Sequence, residues 1–142
     1  MIKGCASVEE LYDNRLKYTV PKKTENIKLF MTIFPPFMQA VANGVEFTDR
    51  ELEKLPYYNF LIARLNPVDR LPVLKRKGKR HVLNIMKNGI NLFHDIKKNG
   101  LKTPLEFHIY NSRLCLFKGG RRLVILKILG HETVPSLIRE EK

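Results

Sequence analysis

Apolar residues recur at steps of three and four between His81 and Asn99, where Val82, Ile85 and Met86 are followed by Leu92, Phe93 and Ile96. That period predicts an amphipathic helix, closed by lysines in its last turn and by Gly100 as a C-cap. Gly89 is expected to divide it. The period then changes. Leu105–Tyr110 and Arg113–Phe117 are β-rich runs joined by Asn111-Ser112, a two-residue link that predicts a hairpin. The run from Lys118 to Gly130 would suit a buried strand by propensity, but its flanks decide otherwise. Two glycines before it and Gly130 after it predict a loop, a buried helix over Leu123–Leu129 and a C-cap, with a last strand at Thr133–Ile138.

Upstream, short apolar segments alternate with turn signals at Pro21-Lys22-Lys23, Pro35-Pro36 and Asn43-Gly44, so short elements are expected. Thr48-Asp49-Arg50-Glu51 has the form of a capping box and predicts a helix start. Pro56 suits the first turn of a second helix carrying Tyr57, Tyr58, Phe60, Leu61 and Leu65, which Asn66-Pro67 stops. Leu71–Leu74 reads as a short strand, and Lys75–Arg80, with five basic residues in six positions, as a loop or turn. The fold class is therefore α+β, a small mixed β-sheet flanked by helices. Residues 1–70 form a mainly helical N-terminal extension packed on the core, with Phe30, Phe34 and Phe37 packing it onto the sheet, and residues 71–142 form the second unit.

Composition narrows the function. The 142 residues carry 26 Lys+Arg against 14 Asp+Glu, a net charge of +12, while 44% are apolar, enough for a buried core. Such a surplus selects anionic partners, among them nucleotides, DNA or RNA. Cys5 and Cys115 are too few for a disulfide scaffold, and the start of the chain lacks a signal peptide's succession of residues, so a cytoplasmic protein with free thiols is expected. Leu29–Met38 and Leu123–Leu129 fall short of the ~20 residues a bilayer span needs. No membrane partner is expected.

Glycines at a helix start let a backbone approach a ligand closely, and the free amides and helix dipole there favour a phosphate. Arg121 and Arg122 add planar donor forks suited to phosphate oxygens, which makes Gly119-Gly120-Arg121-Arg122 the main candidate site. The histidines His81, His94, His108 and His131 match no metal-ligand spacing. Asp95 and Glu106 are the acidic residues nearest the phosphate segment in sequence and are the catalytic candidates, although His94 and Asp95, adjacent on a helix, point apart and form no relay. The run Lys75, Arg76, Lys77, Lys79 and Arg80 is a second, nucleic-acid-binding candidate. Tyr57, Tyr58 and Phe60 with Arg64 could stack bases, but aromatics at helical spacing are usually core.

The series from Leu92 through Gly100-Leu101-Lys102-Thr103-Pro104-Leu105, the hairpin, Gly119-Gly120-Arg121-Arg122, and Leu126-Lys127-Ile128-Leu129-Gly130 to Val134-Pro135 resembles the ParB N-terminal domain and the wider ParB/sulfiredoxin-like superfamily. The resemblance covers about residues 71–138. It implies a nucleotide phosphate held by Gly119, Gly120, Arg121 and Arg122, with Gly100, Leu101 and Thr103 near the base and sugar. Functions in the superfamily run from cytidine-triphosphate switches to phosphoryl transfer in sulfiredoxin and the free serine kinases. The nucleotide is left open between CTP, ATP and ADP, as is magnesium beside it. Gly120 stands where ParB proteins usually carry a glutamate linked to metal and hydrolysis, and Arg121 stands where sulfiredoxin needs a cysteine. The partition protein's helix-turn-helix has no counterpart after Thr133–Ile138, so a stand-alone domain is expected. It binds a nucleotide or related phosphate, with phosphoryl transfer or nucleotide hydrolysis as any reaction. The alternatives are a basic nucleic-acid-binding accessory protein and a non-catalytic interaction module of the same fold.

Overall fold

Ser7 ends strand β1 (Ile2–Ser7), and its hydroxyl accepts from the Glu10 amide at 3.3 Å, capping helix α1 (Val8–Lys17). The computed structural model describes residues 2–17, 24–64, 75–110 and 113–139. Helices α2 (Thr24–Ala42), α3 (Asp49–Glu53), α4 (Pro56–Ala63) and α5 (Lys75–Asn99) follow, then β2 (Leu105–Tyr110), β3 (Arg113–Lys118), α6 (Gly120–Ile128) and β4 (Thr133–Arg139). The four strands form one mixed sheet in the order β1-β4-β2-β3. The protein is α+β, with a small mixed sheet and, among the described residues, six helices.

Strand β4 runs antiparallel to β1, from Ile2 opposite Ile138 to Ser7 opposite Thr133, and parallel to β2, from Leu105 opposite Ser136 to His108 opposite Arg139. Pro135, which has no amide to give, lies one residue before the β2 pairing begins, where β4 has only β1 beside it. The β2–β3 hairpin closes on Tyr110 and Arg113, with an irregularity between Glu106 and Phe107. Its Asn111-Ser112 link and the expected strand at Leu71–Leu74 lie outside the described residues.

The two expected helices after Thr48 are present. Glu51 donates its amide to Thr48 Oγ1 at 3.2 Å, and the Thr48 amide donates to Glu51 Oε1 at 3.1 Å, completing the capping box. Pro56 occupies the first turn of α4. Helix α6 ends in a Schellman motif, in which Gly130 has a φ of 80° while the His131 amide reaches the Leu126 carbonyl at 3.0 Å.

Five expectations are corrected. The N-terminal segment contributes an edge strand to the sheet as well as helices. The elements there are not all short: α2 runs for 19 residues straight through Pro35 and Pro36. Each interior proline costs about 3 kcal/mol, but Met31, Phe34, Phe37, Met38 and Val41 are all buried along α2, and five such side chains contribute on the order of 10 kcal/mol. Burial wins. The phenylalanines pack among helices, with Phe34 ring centroids 4.8 Å from Phe30 and 5.0 Å from Tyr57, while α2 lies against α4, α5 and α6. Lys75–Arg80 is helical, forming the first turns of α5, because lysine and arginine are strong helix formers. Nor does Gly89 divide α5: a Cβ there would make ordinary contact with Phe34 Cε2 at 3.9 Å, so the glycine is a seat for α2.

One hydrophobic cluster spans both sides of residue 70, from Val8 and Leu11 through Phe34 and Tyr57 to Phe93, Phe107, Leu123 and Val134. Helix α5 faces it with Val82, Met86, Phe93 and Ile96. Among the described residues no helix is long and apolar enough to cross a membrane.

Candidate phosphate-binding site

The start of α6 is built on a backbone that only glycine adopts without strain. Gly119, its N-cap, has a φ of 106°, and a Cβ there would lie 2.7 Å from Leu105 Cδ2 on β2. The first internal bond of the helix runs from the Leu123 amide to the Gly119 carbonyl at 2.9 Å, and no side chain caps the amides before it. Those amides carry the positive end of the helix dipole.

Each glycine is faced by one guanidinium. Arg122, half-buried, folds back so that Nη2 would be 3.4 Å from a Gly119 Cβ, while its Nη1 donates to the Thr103 carbonyl at 3.3 Å. It thereby ties α6 to the loop after α5. Arg15, from α1, covers Gly120, where a Cβ would be 2.8 Å from Nη2. Its Nε is buried and makes no hydrogen bond, and burial pulls its pKa below the ordinary arginine value. A buried guanidinium N–H without an acceptor costs free energy unless one is supplied.

Arg121 projects into solvent beside the aromatic cluster. Burial pushes the Tyr57 hydroxyl up, and the charges of Arg121 and Arg64 oppose that shift. Arg64 itself stands over the Phe60 ring at 5.2 Å. Among the described residues, neither Arg15, Arg64, Arg121 nor Arg122 forms an ion pair. Arg15, Arg121 and Arg122 thus sit at one helix start, with no ion pair among the described residues. Tyr57, Tyr58 and Phe60 are core, at 3%, 7% and 6% exposure, and do not form a stacking platform.

The other candidates are dispersed. Gly100 has a φ of 76° as the residue after α5, with open space around it, and Thr103 reaches the site only through its carbonyl. Asp95 is held by Asn99 at 2.9 Å and Lys102 at 3.2 Å, which keep its carboxyl below the usual range. An ionised, paired carboxylate is a poor proton donor at neutral pH. Glu106, half-buried on β2, stands opposite Lys118, the residue before Gly119, at an irregularity in the β2–β3 pairing. Lys79 and Arg80 are exposed on α5, and the side chains of residues 75–77 lie outside the described ones. Among the described residues no three of His, Cys, Asp or Glu gather as a metal-ligand group.

Arg15 and Arg64 are absent from any loop motif. Arg15 had a visible signal: it follows Val8 and Leu11 at helical spacing on the stripe that faces the core, where a charged residue calls for a partner. Compared with known proteins, the chain matches no family model, no curated protein and no solved structure.

Proposed function

We propose that the Gly119–Arg122 loop and the start of α6 bind the phosphate groups of a nucleotide, in a small domain of ParB/sulfiredoxin-like type. The observation that carries this reading is the Arg15 guanidinium over Gly120, with Nε buried and unbonded. Phosphate oxygens would take the free amides of the first turn together with donors from Arg15 and Arg122, while Arg121 and Arg64 supply charge at the rim. The order of hairpin, glycine pair, twin arginines, helix and β4 supports the family reading.

The proposed activity is binding. Asp95 is taken up by Asn99 and Lys102, and Gly120 leaves no carboxylate in the turn to assist hydrolysis. The test is a thermal-shift titration with CTP, ATP and ADP, each with and without magnesium, backed by calorimetry. A ligand at a hundredfold over its Kd stabilises the native state by about 2.7 kcal/mol. Wild type is expected to show such a shift with at least one nucleotide. Arg15→Ala and the pair Arg121→Ala plus Arg122→Ala are each expected to lose it. An undiminished shift in both variants, or no response in wild type, overturns the reading.

A further inference from the structure

Helix α5 carries a second basic surface, independent of the α6 site. Arg80, Asn84, Lys87, Asn91, His94 and Lys98 are all exposed and follow one another at steps of four and three, forming a single straight stripe along the helix. No exposed residue of α5 is acidic. Its one carboxylate, Asp95, is half-buried and held by Asn99 and Lys102. From the neighbouring α3, Asp49 meets Lys87 at 2.8 Å, which leaves Lys79, Arg80, Lys97 and Lys98 as exposed cations without an ion pair among the described residues.

Such a face is electrostatically costly to the fold. A solvated helix ordinarily mixes signs at i and i+4, whereas here Arg80, Lys87 and Lys98 have no carboxylate of their own helix at that spacing. The helix also begins with Lys75, Arg76, Lys77, Lys79 and Arg80 and has no acid in its first turn, which sets cations against the positive end of its own dipole. A polyanion laid along the helix relieves both costs. The residue types add a further preference, since arginine, lysine and asparagine are the side chains that contact phosphates and base edges in the major groove. From Arg80 to Lys98 the stripe spans about 27 Å, the length of about eight base pairs at 3.4 Å.

We propose that the exposed face of α5 is a docking surface for double-stranded DNA, with the helix lying along the major groove. A groove of ~12 Å accepts a single helix in B-form DNA, whereas the A-form major groove of RNA is too narrow. Four unpaired cations imply a log–log salt slope of about −3 to −4.

The test is fluorescence anisotropy with a 20-base-pair DNA duplex from low to moderate ionic strength. Arg80→Gln plus Lys98→Gln is expected to weaken binding at least tenfold and flatten the slope by about 2. Lys28→Gln plus Lys54→Gln removes equal charge elsewhere on the surface and is expected to change affinity less than threefold. Arg121→Ala plus Arg122→Ala is expected to leave DNA affinity within threefold of wild type, which separates this surface from the nucleotide site. The proposal is overturned by failure to bind the duplex at low salt, or by equal losses in the two glutamine pairs. It is equally overturned if an RNA duplex binds as tightly, or if vesicles containing phosphatidylserine are bound and DNA is not.

Discussion

The guanidinium of Arg15 lies so close over Gly120 that a Cβ on the glycine would stand 2.8 Å from Nη2. The only atoms in the way belong to the end of a flexible side chain, and Gly120 is the first helical residue of α6. Gly120→Ala is therefore expected to fold with a Tm within about 3 °C of wild type, since alanine favours the helix while Arg15 swings aside. Nucleotide affinity is expected to fall at least fivefold. Calorimetry on the folded variant checks it, and unchanged affinity would detach Arg15 from the ligand.

Gly119→Ala behaves differently. Its φ of 106° strains any other residue, and the new methyl meets Leu105 at 2.7 Å. A loss of about 2–4 kcal/mol follows, which lowers Tm by on the order of 10 °C. Thermal unfolding of the two alanine variants side by side distinguishes a backbone requirement from a ligand requirement in adjacent glycines.

At Gly89 the neighbouring Phe34 and Met38 leave room for one methyl group, at 3.9 and 4.0 Å. Gly89→Ala is expected to raise stability by about 0.5–1 kcal/mol through helix propensity. Gly89→Leu is expected to lower it by about 1–3 kcal/mol by forcing α2 away. Urea titration of both variants is the check; a loss with alanine would mean the contact with α2 is tighter than described.

The capping box gives a pH dependence. The bond from the Thr48 amide, with the Thr48 side chain second, holds the Glu51 carboxyl below its ordinary value. A depressed native pKa means stabilisation present above the unfolded value, about 4.3, and lost as pH falls through the lower native value. Glu51→Ala should be destabilised at pH 7, with the deficit narrowing below pH 4. Thr48→Ala should cost about 1 kcal/mol. Urea midpoints at pH 7 and pH 3 measure both.

Local signals made the chain from Leu105 onward legible. The hairpin, the glycine loop, α6 with its Schellman end, and β4 each announce themselves within a few residues, as do the Thr48 box and Pro56. What depends on distant contacts was not. Strand β1 is six residues with a glycine inside, and its partner lies near the other end of the sequence. Helix α2 persists through two prolines only because its apolar side chains have α4, α5 and α6 to bury against. Of the candidate site, the loop residues Gly119, Gly120, Arg121 and Arg122 were readable as a motif. The guanidinium that completes it comes from α1, and only the packing of α1 on α6 brings Arg15 there.

The position of β4 between β1 and β2 governs how the chain can assemble during synthesis. Of the four described strands, the one synthesised last fills the gap in the middle of the sheet, so β1 and β2 each keep an open edge until then. Closing that gap joins residues far apart in sequence, which makes sheet completion a slow, late event. A nascent chain halted before Thr133 would hold β1 without a partner and the β2–β3 hairpin with one open edge, a species prone to self-association and a ready client for a chaperone.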